Sequence, residues 1–553
     1  MHLSEVLARI DGRSYAAYRE LAGRFAYPEG ELVVERVQAD PFAPPSRVCF
    51  RLAANQAGFP AELFATASRR VALADYLARR AARAAQSLGR EGRGRVVVDC
   101  GGQEVLPRNS LRVEADGAVR LRCAVELPAK GRTVLGRRAL RLLEEDLRGR
   151  VAGSLRYAAL PREELARWVY LADDRDFLRG ELERRGWVAF VPDGAVLPRE
   201  SGRSQRPMAG AVAFSSPPEL AATVRLPRAG PVRGMALPRG VTLLIGGGFH
   251  GKSTLLSALE RGVYDHVPDD GRELLLTDRD AVKVRAEDGR RVTRVDLSAF
   301  LAQLPGGVET ADFATESASG STSQAANILE ALELGARVLL LDEDKSAGNF
   351  LVRDALMQRV VAKDQEPITP LVDRVRPLWE ERGVSTVLAL GGCGDYFAVA
   401  DRVVLLEEYR PRDATQEARA AAAAGPARRS EASGFPAPVA RVPCRRGDDP
   451  GRRVSALGPD RIRYGREEVD LSFLDQLVEP GQTRAVADIL RRFDADGRRP
   501  LREVLVEFLA EVAADLDRCS PQGVPGDYAL PRLYELGAAW NRLPDLAVAQ
   551  LLR

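Results

Sequence analysis

Four unbroken apolar runs dominate the middle of the chain: VTLLI at 241–245, ARVLLL at 336–341, STVLAL at 385–390 and RVVLL at 402–406. Continuous apolar runs bounded by turn residues predict strands buried on both faces, the pattern of a parallel sheet flanked by helices. TLLSALERG at 254–262 and NILEALELG at 327–335 instead repeat apolar residues every three or four positions, which predicts helices. Before residue 204 the pattern is mixed. Helices are expected at about 61–90, 136–150 and 161–185, with strands in RVVVDC and VRLRCAVELP and a PDG-turned hairpin near 188–197, an α+β arrangement. Residues 272–296 read as a small hairpin region. From 409 to 452 the periodicity disappears into Ala, Pro, Arg and Gly, which predicts a flexible linker. Globular patterning resumes at 453, mainly helical after Val478, with a closing helix expected near Leu543 to Leu552. The expected organisation is thus an N-terminal α+β domain at 1–204, a core at 205–408, a linker at 409–452 and a small, mostly helical C-terminal domain at 453–553.

Composition changes this picture little. A chain of 553 residues is too long for one hydrophobic core. No apolar run approaches the roughly 18 residues of a membrane span, and MHLSEVLARIDGRSY lacks the features of a secretory signal, so a cytoplasmic protein without membrane association is expected. The cysteines at 49, 100, 123, 393, 444 and 519 form no CxxC pair and read as reduced and structural. Net charge is only +3, yet arginines crowd 69–95, at 69, 70, 79, 80, 83, 90, 93 and 95, against Asp75 and Glu91. Such a segment fits either a polyanion or a solvated helix face. Arg108 and Arg199, each after a proline, carry the same alternatives: an anionic partner or local carboxylates.

The chemistry enters where the first buried run ends. GGGFHGKS, comprising Gly246, Gly247, Gly248, Phe249, His250, Gly251, Lys252 and Ser253, lies between a strand and a helix that begins at Thr254. This is the phosphate-binding loop pattern: glycines free backbone N–H groups to cradle phosphates at a helix N-terminus, Lys252 reaches the β- and γ-phosphates, and Ser253 ligates Mg²⁺. Lysine is rare in this chain, at 130, 252, 283, 345 and 363 only, and the loop is a place where a compact ammonium does what a planar guanidinium does poorly. The run ARVLLLDED supplies the complementary acids. Asp342 at the strand end is placed to hold Mg²⁺, and Glu343 to act as general base toward the attacking water.

Between these motifs, ESASGSTSQAANILEALELG places Ser319 and Gly320 at a helix start, 23 residues before Asp342. That spacing resembles ABC-type ATPases, in which a serine–glycine signature opening a helix contacts the γ-phosphate of ATP bound to the opposite subunit. An ordinary Ser/Thr helix cap is the alternative for the motif alone. The resemblance sharpens to the predicted ATPases of the ABC class. Its carriers are IDGRSYAAY, VQADPFAPPSR, GGQEVLPR and VAFVPDGAVLPRESG before the core, LLLDEDKSAGNFLVRD and GGCGDYFAVADRV within it, and VDLSFLDQLVEPGQTRAV after it. It implies an α/β P-loop core of ABC type, ATP and Mg²⁺ as ligands, ATP hydrolysis and a head-to-tail homodimer sandwiching two nucleotides.

Several positions depart from the ABC pattern. With histidines only at 2, 250 and 266, no switch histidine follows the strand after the Asp342 strand. Cys393 and Asp395 in GGCGDY stand near its place. Gln303 is the candidate Q-loop residue and a further Mg²⁺ contact, Asn349 corresponds to the D-loop position, and Phe214 is the sole candidate for stacking on adenine. Ser319 lies 67 residues after Lys252, short for the usual helical subdomain. The favoured function is an ATPase that clamps or remodels nucleic acid, RNA before DNA, through the N-terminal domain. The competing reading is an ATP-gated protein scaffold. A small-molecule kinase is disfavoured, because it has no use for Ser319.

Overall fold

In the computed structural model, all residues are described except 1, 89–93, 203, 303, 426–427, 445–452, 494, 496, 521–524 and 553. Gln303, Arg90, Glu91 and Arg93 therefore lie outside the described residues. The chain divides into two compact units: Met1–Asp176 with Glu511–Leu530, and Phe177–Ala510 with Pro531–Arg553.

The first unit is built on an antiparallel sheet in the order Gly23–Tyr27, Gly30–Arg36, Ser46–Leu52, Val119–Glu126, Arg95–Val97. Alternation of apolar and polar residues gives it one core face. Leu32, Val34, Val48, Phe50, Leu121 and Val125 are buried among Leu73, Leu77 and Ala81 of helix Ala67–Gln86. That helix starts where Thr66 accepts the Arg69 amide at 3.1 Å. On the other face Asp517 pairs with Arg122 at 2.6 Å and Arg120 at 3.1 Å, the Asn109 amide donates to the Tyr528 carbonyl, and the Tyr528 amide donates to Asn109 Oδ1 at 2.8 Å.

The second unit carries the apolar runs. Ala281–Lys283, Val338–Asp342, Ser385–Ala389, Val241–Ile245 and Arg402–Glu407 lie side by side and parallel, with Arg410–Asp413 added antiparallel at the edge. Ala281–Lys283, from the region read as a small hairpin, is a strand of this sheet. Trp187–Pro192 pairs antiparallel with Gly230–Pro238 in a separate four-stranded sheet, so the unit begins at Phe177, earlier than the boundary expected at 204.

Two further expectations fail. The segment read as a flexible linker holds strand Arg410–Asp413, helix Thr415–Ala424 and strand Ala440–Pro443. Its order comes from side chains rather than periodicity: Phe435 is buried against Phe300, the Arg428 guanidinium grips both carboxylate oxygens of Asp373, and Arg441 is buried with Glu333 at 2.6 Å. The closing helix expected near Leu543 to Leu552 is instead strand Val548–Leu552, paired with Ala440–Pro443. Leu, Ala and Gln favour helix in isolation, but a partner strand overrides so weak a preference.

Candidate nucleotide site

The carboxyl edge of the parallel sheet gathers the candidate residues. Leu244 and Asp342 are both in register with Ala389, so the strand Ser385–Ala389 stands between the P-loop strand and the acid-bearing strand. With strands about 4.8 Å apart, the P-loop and Asp342 leave the sheet roughly 10 Å from each other, across the loop that follows Ala389. An open α/β sheet binds ligands at this edge.

Within the loop, backbone geometry explains the glycines. Gly246 has φ +142°, and a Cβ there would stand 2.4 Å from the Leu406 carbonyl oxygen; Gly251, at φ +100°, begins the helix Lys252–Arg261. Lys252 Nζ donates to the carbonyls of Gly246 at 2.6 Å and Gly247 at 2.8 Å, folding the ammonium over the loop it is expected to serve. His250 is structural: its Nδ1 accepts the Glu408 amide at 2.8 Å and its carbonyl the Tyr409 amide at 3.1 Å. Phe249 is 98% exposed with φ +62°, a bulky residue in a left-handed conformation that normally belongs to glycine. Gly247, Gly248 and Ser253 are exposed and Thr254 half-buried.

Asp342 is buried at the end of its strand, where its side chain accepts the Asp344 amide at 3.3 Å. A hydroxyl and a carboxylate, Ser253 and Asp342, are hard oxygen donors that suit Mg²⁺ carried on a nucleotide. Among the described residues no three His, Cys, Asp or Glu side chains form a metal cage, and a phosphate-bound Mg²⁺ requires none. Glu343 Oε2 accepts two successive backbone amides, Gly391 and Gly392, the latter at 3.0 Å. The turn that carries Glu343 is held further by Lys345, whose ammonium lies 3.3 Å from Asp475.

Ser319 caps helix Gly320–Glu333, accepting the Thr322 amide at 3.4 Å, and is exposed. Gln324 in that helix is fully buried. It bonds Ser346 Oγ and the Ala347 amide, each at 2.9 Å, joining the signature helix to the loop after Asp342. Asn349 is exposed in the short helix Gly348–Leu351.

The geometry corrects several expectations. Asp395 sits 4.0 Å from Cys393 Sγ, whereas the groups that touch Glu343 are the Gly391 and Gly392 amides. Burial pushes the Cys393 thiol up to about 11, so it stays protonated at neutral pH. Phe214 is buried and offers no face to a base. Arg69 pairs with Asp173 at 2.7 Å, Arg79 with Asp75 at 2.8 Å, Arg108 with Asp99 at 3.2 Å and Arg199 with Asp270 at 3.1 Å, which satisfies these four cations locally. Sequence reasoning missed the paired glycines, Gln324 and Asp475. The Gly-Gly directly after a buried strand was the available signal for the first, whereas the other two depend on contacts between segments distant in sequence.

The P-loop domain of the ABC-class ATPases matches residues 161–440, the N-terminal domain of the ATPases of the ABC class matches 1–158, and the MRB1590 C-terminal domain matches 453–549. The uncharacterized protein MJ1628 of Methanocaldococcus jannaschii is 27% identical over 249 residues, which cover 43% of this chain and 54% of that protein. The chain thus spans about half the length of that curated relative. Among solved structures, CbiO1 of Clostridium perfringens, part of the ABC transporter complex CbiONQ, is 14% identical with a TM-score of 0.23, covering 41% of this chain and 87% of its own. MJ1267 in its ADP conformation, an ATP-binding cassette of an ABC transporter, is 12% identical with a TM-score of 0.24, covering 35% of this chain and 88% of its own.

Proposed function

This chain belongs to the ABC-class ATPases, and from that premise we propose that it hydrolyses ATP in a head-to-tail dimer and uses the closing of that dimer to grip nucleic acid. One observation carries the hydrolytic part: the P-loop, Asp342 and Glu343 stand on the carboxyl edge of one sheet, flanking the strand Ser385–Ala389. In this reading Lys252 and the loop amides hold the phosphates, and Ser253 and Asp342 hold Mg²⁺, which neutralises charge on the β- and γ-phosphates. Glu343 takes a proton from the water that attacks the γ-phosphorus as the bond to the β-bridging oxygen breaks, leaving ADP and inorganic phosphate. Ser319 and Gly320 act on the other subunit's nucleotide, a role that fits the exposure of Ser319 at a helix N-terminus.

The nucleic-acid part rests on the arginines of the first unit's sheet that remain exposed, Arg36 and the pair Arg24 and Arg51, which share the single carboxylate of Glu31 at 3.8 and 3.7 Å. Adding RNA or DNA should raise ATP turnover, and binding should weaken steeply with salt. Failure of both removes the partner and leaves the ATPase standing. A protein scaffold is the second reading, favoured by Leu356, Met357 and Val360, which expose apolar side chains on helix Ala355–Val360. A Glu343→Gln chain trapped with ATP, followed by identification of what co-purifies, discriminates the two. No helix among the described residues is long and apolar enough to cross a membrane.

A further inference from the structure

We propose that the backbone amides of Gly391 and Gly392 form a cradle that engages the Glu343 carboxylate and yields it when a γ-phosphate arrives, so that a pair of glycines does the sensing for which this chain has no histidine. The inference rests on the hydrolytic reading above. Two consecutive N–H groups converge on a single carboxylate oxygen, Glu343 Oε2, with Gly392 N at 3.0 Å and Gly391 N closer. Successive amides aimed at one point are a general anion site, and they take a phosphate oxygen as readily as a carboxylate oxygen.

Position makes the competition physical. The loop leaves the strand that lies between the P-loop strand and the Asp342 strand, and its first residue is fixed there by Leu390 N donating to the Leu244 carbonyl at 2.9 Å. Both glycines are exposed, so the cradle is open to a ligand. Neither glycine is required by what now occupies it. Neither has a positive φ, and a Cβ at either would meet only Glu343 oxygens, at 3.6 Å, an ordinary contact.

Two states follow. With Glu343 in the cradle, its oxygen is engaged by two donors, which weakens it as a proton acceptor. With a γ-phosphate oxygen in the cradle, the carboxylate is displaced and free to accept the proton of the attacking water. ADP has no γ-phosphate and leaves the latch closed.

The test compares affinity for a non-hydrolysable ATP analogue with an imido β–γ bridge against affinity for ADP, in the full chain with Mg²⁺. Glu343→Ala empties the cradle and should tighten the analogue about tenfold relative to ADP, the effect of removing one competing charged hydrogen-bond partner. Gly392→Pro deletes one N–H and should erase most of the preference for the analogue, while Gly392→Ala, which keeps the N–H, retains it. If Gly392→Pro does not fold, Glu343→Ala decides alone. An unchanged ratio in Glu343→Ala overturns the latch. If the unaltered protein binds ATP without releasing phosphate, the hydrolytic reading fails instead, and the latch falls with it.

Discussion

The glycine-lined rim of the parallel sheet and the strap at 428–443 lie in the same compact unit, yet they are held by opposite means. The rim consists of exposed loops, and backbone amides supply the donors that fix much of it: Glu408 N to His250 Nδ1, Tyr409 N to the His250 carbonyl, and Gly391 N and Gly392 N to Glu343. The strap has almost no regular structure before Ala440 and is fixed by side chains. Phe435 sits in an aromatic cluster with Phe300 and Phe350, its carbonyl takes Arg382 at 2.7 Å, and Arg441 is enclosed with Glu333. A surface meant to receive phosphates keeps its donors on exposed contacts that a ligand can replace, Lys252 on loop carbonyls and the Gly391 and Gly392 amides on Glu343. A segment meant to stay put commits its charges to buried partners.

Substitutions should therefore separate activity from stability according to region. The largest effect is expected in the strap: Glu333→Ala leaves the Arg441 guanidinium buried beside a single more distant carboxylate, Glu330 at 3.8 Å, and should cost about 3–5 kcal/mol in denaturant unfolding. If the loss is below about 1 kcal/mol, the strap is not held as described. Phe435→Ala, which removes a buried ring, should cost about 3–4 kcal/mol while nucleotide affinity measured on the folded fraction stays at its ordinary value. At the rim the order reverses. Lys252→Ala should slow phosphate release at least about a hundredfold, some 2.7 kcal/mol of barrier, and move unfolding by less than about 1 kcal/mol. A large loss of stability there would erase the contrast. Ser319→Ala should cost only about 1 kcal/mol of helix capping. Ser319→Arg, with similar stability and intact ATP binding, should block hydrolysis if the signature works on a second subunit, and normal turnover would contradict the sandwich.

The same contrast marks what the sequence made legible. VTLLI, VLLLD, STVLA and RVVLLE form strands at the places their unbroken apolar runs predict, because burial on both faces of a sheet leaves a local imprint. The P-loop and the two acids were legible for a similar reason, since their chemistry requires short contiguous motifs. Arg441 and Glu333, 108 residues apart, leave no such imprint, and neither does Arg428 with Asp373. Arg69 looked like part of a cationic patch because Asp173, 104 residues on, is brought to it only by folding, whereas Asp75 stands one helical turn before Arg79 and was visible in the sequence. The cradle at Gly391 and Gly392 escaped because its working groups are backbone amides, which every residue but proline possesses.

One feature of the first unit bears on how the protein is made. Asp517, which neutralises Arg120 and Arg122 on its sheet, and Tyr528, which meets Asn109, follow the rest of that unit by the whole stretch Phe177–Ala510, 334 residues. At roughly 5–20 residues per second, a ribosome needs about 17–67 s to cross that interval. Throughout that time Arg120 and Arg122 on the nascent N-terminal sheet have Glu114 and Glu35 but not Asp517 as partners, and their face can close only after the entire ATPase sheet has emerged.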